Sequence, residues 1–181
     1  MTIPNLLTCI RIILAPIFFI YVIEGEIMFA LCVFIIAGLT DAFDGLVARI
    51  WNQKSSMGAI LDPLADKLLI ITAFVTLPIK RHTIPAWLSA IVISRDIFIL
   101  LGVLILFLSS IRFEVRPSVI SKITTCLQLI TVISALLGEK ITFFIRIGLY
   151  LHVLTGAVTV ISGLHYMAFW FGLFGEDHIL S

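Results

Sequence analysis

The chain has 181 residues, 61% of them hydrophobic, with 12 Lys and Arg set against 11 Asp and Glu for a net charge of +1. Its mean hydropathy of +1.19 goes with an apolar content far above the roughly 45–50% of soluble domains. These values leave no case for a nucleic-acid partner and predict one all-α integral membrane domain over residues 1–181.

Residues 1–8 read as a short lead-in punctuated by Pro4 and Asn5, with no basic region and small-residue cleavage site of a signal peptide. The first apolar span is 6–23, with Arg11 about one turn inside it. Glu24, Gly25 and Glu26 form a polar turn. The second span, 27–48, carries Asp41 and Asp44 in its last turns, and 49–56 is a polar loop with Trp51, Asn52 and Lys54. The third span, 59–79, holds Asp62 and Asp66 in its first turns, with Pro63 where a helix start tolerates proline. Lys80-Arg81-His82 closes it, and Pro85 opens a fourth span, 86–108, interrupted by Arg95 and Asp96. A basic loop with Arg112 and Arg116 leads to the fifth span, 119–137, with Lys122 near its start. The sixth, 143–174, exceeds the about 20 residues that a bilayer needs. It predicts a tilted helix, or a short interfacial piece before one.

Six spans make a six-helix transmembrane bundle with both termini on one side. Arg11, Arg49, Lys54, Arg112, Arg116 and Lys122 fall on that side with the acidic cluster; Lys80, Arg81, Lys140 and Arg146 fall on the other. The positive-inside rule puts the cluster and the termini in the cytoplasm. A bacterial cytoplasmic membrane is the expected location, with a eukaryotic organelle membrane as the alternative. Cys9, Cys32 and Cys126 have no paired spacing and read as small core residues.

The chain is organised around DAFDGLVARIWNQKSSMGAILDPLAD, from Asp41 to Asp66. Asp41 and Asp44 are three apart, Asp62 and Asp66 four apart, so each pair shares a helix face. Carboxylates converging from two helix ends cannot all stay ionised unless cations hold them. An all-oxygen ligand set suits Mg²⁺ or Mn²⁺. Gly45 and Ala48 leave room for a ligand beside the helix. The bland alternative, four ordinary interfacial polar residues, fits poorly with so regular a spacing and no run of basic partners.

The pattern D-x2-D-G-x2-A-R-x8-G-x3-D-x3-D, filled at all eight positions, resembles the signature of the CDP-alcohol phosphatidyltransferases. The resemblance runs from near residue 3 to the last hydrophobic span. It implies a two-ion site in which Asp41, Asp44, Asp62 and Asp66 ligate metal, and Asp66 is also the general base. It further implies that Gly45, Ala48, Arg49 and Gly58 bind the CDP-linked lipid, with Arg49 equally readable as a headgroup anchor. The expected reaction passes the phosphatidyl group of CDP-diacylglycerol to an acceptor hydroxyl and releases CMP.

Arg112, Arg116 and Lys122 read either as a headgroup-contacting loop or as an anion pocket for a phosphate-bearing acceptor. Arg95 either pairs locally with Asp96 and Thr or Gln neighbours, or joins that pocket; the family's I-S-R-D or A-R-E segment at this place favours the pocket. His82, His152 and His165 lack mutual ligand spacing and read as structural. Tyr166, Phe169, Trp170 and Phe171 look like an interfacial belt.

The opening IPNLLTCIRI is similar to both the cardiolipin synthase and the phosphatidylglycerophosphate synthase branches. The apolar IFILLGVLILFL after Arg95-Asp96 lacks the second basic residue of glycerophosphate users. The expected acceptor is therefore phosphatidylglycerol, with glycerol 3-phosphate as the alternative. A cation transporter is the remote alternative, and it would spread acids across several spans instead of gathering them at one face. The resemblance implies a homodimer.

Overall fold

The computed structural model describes residues 3–51, 58–108 and 119–176; for 3–8, 41–51, 58–66, 103–108, 142 and 169–176 it describes the backbone alone. Among the described residues the chain is all-α. The helices are α1 (Ile3–Glu24), α2 (Ile27–Trp51), α3 (Gly58–Lys80), α4 (Ala86–Leu108), α5 (Val119–Gly138) and α6 (Thr142–Glu176). Their bounds lie within a few residues of the apolar spans. Two differences have local causes. Proline fits a first helical turn, so α1 starts at Ile3 and takes in Pro4, which leaves Arg11 two turns inside. Pro63 is the sixth residue of α3, beyond its first turn. The final element is one unbroken helix of 35 residues, with no separate interfacial piece.

The turns follow backbone chemistry. Gly25 adopts φ 89°, and the amides of Gly25 and Glu26 both donate to the Tyr21 carbonyl, at 3.1 and 2.9 Å. Glycine reaches this left-handed geometry at no steric cost. His82, at φ 54°, ends α3 in the same way. Pro85 then opens α4, its carbonyl accepting from Leu88 and Ser89. Arg81 Nε and Nη2 donate to Val22 O at 3.2 and 3.1 Å, satisfying a carbonyl left over at the end of α1. Arg81 also lies 3.7 Å from Glu139. One arginine thus gathers the ends of α1, α3 and α5.

The helices form two groups of three. In the first, α1 packs on α2 and α3; in the second, α6 packs on α4 and α5. The groups meet through α3 with α4, α2 with α5 and α3 with α5. Phe18, Phe34, Phe74, Leu77, Leu88, Val92, Val132 and Leu136 fill the core, and the rings of Phe18 and Phe34 are 5.5 Å apart.

Much of the rest is reversed relative to a water-soluble protein. Thr124, Gln128, Thr131, Thr155, Thr159 and Ser162 are fully buried, while Phe98, Ile145, Leu149 and Tyr150 are more than half exposed. Thr131 and Thr155 share a 2.7 Å hydroxyl hydrogen bond between α5 and α6. Several threonines also bond to the carbonyl four residues back. Among the described residues, Val119–Gly138 and Phe143–Ala168 are long and apolar enough to cross a membrane. The three cysteines are not core residues as expected: Cys9, Cys32 and Cys126 are exposed free thiols. They lie on outward faces of α1, α2 and α5.

Gly156 brings α6 close to α4. A Cβ there would sit 2.7 Å from Trp87 Cζ3 and 3.6 Å from Leu88 Cδ1. Gly156→Val should therefore destabilise by about 1–3 kcal/mol through overpacking. Unfolding of the detergent-solubilised protein measures this; an unchanged midpoint would mean that the Trp87 ring yields freely.

Candidate functional site

The helix ends carry the expected acids. Asp41 and Asp44 lie in the last three turns of α2, and Asp62 and Asp66 are the fifth and ninth residues of α3. Helical backbone at spacings of three and four puts each pair on one face. Gly45, Ala48 and Arg49 share the end of α2, and Gly58 opens α3. The side chains of these eight residues lie outside the described set, as do Lys54, Arg112 and Arg116. Described side chains include no cluster of three or more His, Cys, Asp or Glu. By chemistry the donor set, four carboxylates on the end of α2 and the start of α3, fits hard cations.

Beside the acids runs a chain of charged groups. Lys67 Nζ is 3.1 Å from both carboxylate oxygens of Asp96. Asp96 is fully buried and accepts from Arg95 Nη1 at 2.7 Å. Arg95 Nη2 donates to Ser121 Oγ and Ser162 Oγ, both at 2.8 Å. The Arg95 guanidinium also sits 5.8 Å from the centre of the Tyr166 ring. Four helices, α3 to α6, contribute to this one network. Tyr166 therefore has an interior partner instead of belonging only to an outer belt; the side chains of Phe169, Trp170 and Phe171 lie outside the described residues.

Arg95, in the middle of α4, is 5% exposed. Lys122 is exposed on α5, one residue from Ser121. Lys67 was missed by the sequence reading. Its signal was a lysine directly after the last acid of the pattern, with an acid, Asp96, deep in the next span.

Arg11, 2% exposed, lines a cavity of about 130 Å³ together with Lys67, Gly38 and Thr125. Gly38 is one turn before Asp41 and Lys67 adjoins Asp66, so this space lies beside the acidic helix ends. A second cavity of about 470 Å³, lined by His82, Ser134, Glu139 and His152, sits by the α3–α4 and α5–α6 turns.

Comparison with known proteins agrees with the pattern. Residues 1–173 match the family described as CDP-alcohol phosphatidyltransferase. A cardiolipin synthase (CMP-forming) from Homo sapiens is 36% identical over 91% of this chain and 61% of its own length. The chain thus spans about three-fifths of that relative. A CDP-diacylglycerol–glycerol-3-phosphate 3-phosphatidyltransferase from Shigella flexneri serotype 5b is 35% identical, covering 92% of this chain and 93% of that protein. One of the same description from Aquifex aeolicus is 29% identical over 94% and 92%. With all eight positions of the acidic pattern filled at the ends of α2 and α3 and nearly the whole chain matched, the protein belongs to the CDP-alcohol phosphatidyltransferase family.

Proposed function

We propose that the chain transfers a phosphatidyl group from CDP-diacylglycerol to the hydroxyl of phosphatidylglycerol, forming cardiolipin and CMP. The observation that carries the reaction class is the complete eight-position pattern on the ends of α2 and α3. Asp41, Asp44, Asp62 and Asp66 would hold two Mg²⁺ or Mn²⁺ ions, whose charge offsets that of the diphosphate and the departing CMP. Gly45, Ala48, Arg49 and Gly58 receive the nucleotide end of the donor lipid. Asp66 removes the acceptor's hydroxyl proton. The alkoxide forms a bond to the phosphorus that carries diacylglycerol, and the bond from that phosphorus to the CMP oxygen breaks. Arg112, Arg116 and Lys122, together with Arg95, bind the acceptor's phosphate.

The protein on this reading is a six-span membrane bundle with its active site and termini in the cytoplasm of a bacterial cell, working as a homodimer. Support comes from helices of 20 to 35 residues, from exposed aliphatic side chains around buried hydroxyls, and from the uneven distribution of Lys and Arg between the two ends. A phosphatidylglycerol acceptor agrees with the cardiolipin synthase relatives and with the apolar stretch after Asp96.

A second reading, glycerol 3-phosphate as acceptor, is favoured by relatives of that description that match over nearly their whole length. Product labelling separates the two. With CDP-diacylglycerol present, label from phosphatidylglycerol should enter cardiolipin, and label from glycerol 3-phosphate should not enter lipid. The reverse pattern would assign the chain to glycerol 3-phosphate and leave the role of the aspartates standing.

A further inference from the structure

The proposed chemistry divides along the same line as the packing. All four aspartates sit on α2 and α3, in the first group of helices. Of the residues assigned to the acceptor, Arg95 sits on α4 and Lys122 on α5, in the second group. Transfer requires the acceptor hydroxyl within hydrogen-bond reach of Asp66, so the distance between the groups sets the reaction geometry. We infer that Lys67 and Asp96 pin the two groups in register, and that they act as positioning residues for the meeting of acceptor and base. This rests on the reading of Asp66 given above.

Three observations support the inference. Lys67 is the residue after Asp66, so whatever fixes Lys67 also fixes the part of α3 that carries the base. Its partner Asp96 lies across the boundary on α4, fully buried, with both oxygens 3.1 Å from the ammonium. Asp96 is itself immobilised by Arg95, which is tied to α5 and α6 through Ser121 and Ser162. The pin therefore ends in all three helices of the second group. Ser121 also neighbours Lys122, so the same network reaches the first turn of α5, where an acceptor cation stands. Part-buried between helices, with Asp96 wholly so, such a pair is less screened than one at a surface.

The test uses the full chain in detergent with Mg²⁺, comparing wild type with Lys67→Met, Lys67→Gln and Lys67→Arg. Lys67→Met should lower kcat/KM for the acceptor roughly ten- to a hundredfold, as expected for misplacement by about 1 Å. Equilibrium binding of labelled CDP-diacylglycerol should stay within about twofold, because donor contacts lie inside one group. Arginine, which can span the same gap to a carboxylate, should recover most of the loss. Spin labels at Ile36 on α2 and Ile123 on α5, both about half exposed, report the separation of the groups without reference to activity. The native cysteines are first replaced by serine. Their distance distribution should shift or broaden in Lys67→Met and return in Lys67→Arg. If Lys67→Met fails to fold, Lys67→Gln carries the same expectations. Unchanged distances with unchanged acceptor kinetics overturn the inference. So does a loss of CDP-diacylglycerol affinity equal to the loss of rate, which would make the pair a general support. Full transfer by Asp66→Asn would instead remove the reading of the base, while the label distances would still decide whether Lys67 and Asp96 hold the groups together.

Discussion

Asp66→Asn is expected to lower turnover by about 10²–10⁴-fold, the usual contribution of a positioned general base. The amide cannot accept the hydroxyl proton, and it is a poorer ligand for a hard cation than a carboxylate. Asp41→Asn, Asp44→Asn and Asp62→Asn should also abolish turnover, but through loss of metal. The two roles separate in binding measurements. Asp66→Asn should retain more affinity for CDP-diacylglycerol than it retains rate, because the base acts on the acceptor. Removing divalent ions with EDTA should stop the wild-type reaction, and Mg²⁺ or Mn²⁺ should restore it. Full activity in EDTA, or in Asp62→Asn, would rule out the two-ion reading. A fall in donor affinity as large as the fall in rate would make Asp66 chiefly a ligand.

The largest expected effect on stability comes from Arg95→Met. Methionine fills much of the volume but takes three hydrogen bonds from the interior at once, those to Asp96, Ser121 and Ser162. Asp96, fully buried, would keep only Lys67. Breaking a buried ionic network by deleting one partner costs about 3–5 kcal/mol. Chemical unfolding of the solubilised protein should show a loss of that size. Arg95→Lys should lose less, because it keeps the charge beside Asp96, though one ammonium is a poor match for three acceptors spread over three helices. A change as small as that of a surface ion pair, about 0–1 kcal/mol, would show that the network does not hold these helices together.

Helix positions were readable because the chain alternates long apolar runs with short turns rich in Gly, Pro and charge. Gly25, His82 with Pro85, and Gly138 mark three turns that the backbone geometry bears out. The start of α1 was harder, since Pro4 can either precede a helix or occupy its first turn. Arg95 was legible as a buried charge from its depth in α4. Its partners were not, because Ser121 and Ser162 lie 26 and 67 residues away, and local spacing carries no information at that separation. Lys67 was hidden for the same reason: its partner is 29 residues on. The cysteines misled because burial statistics drawn from soluble proteins put small apolar side chains inside. Here hydroxyls occupy much of the interior and thiols face outward. The eight-position pattern identified the family from the sequence, whereas which of Arg95, Arg112, Arg116 and Lys122 meet an acceptor depends on how distant segments fold together.

On the proposed six-span reading, in which α3 and α4 both cross the bilayer, the adjacency of Arg95 and Asp96 also bears on how α4 would get there. A lone arginine or aspartate at the middle of a spanning helix is costly to insert, about 2.5–3.5 kcal/mol even on the mildest scales. Neighbours that bind each other at 2.7 Å within one helix enter as a neutral pair. The α4 segment can therefore leave the translocation machinery before α5 and α6 exist to receive it. Ser121 and Ser162, made later in synthesis, can bind the guanidinium's Nη2 afterwards. Lys67, already inserted on α3, can meet Asp96 as soon as α4 arrives, so the link between the two groups of helices can form while the chain is still being made.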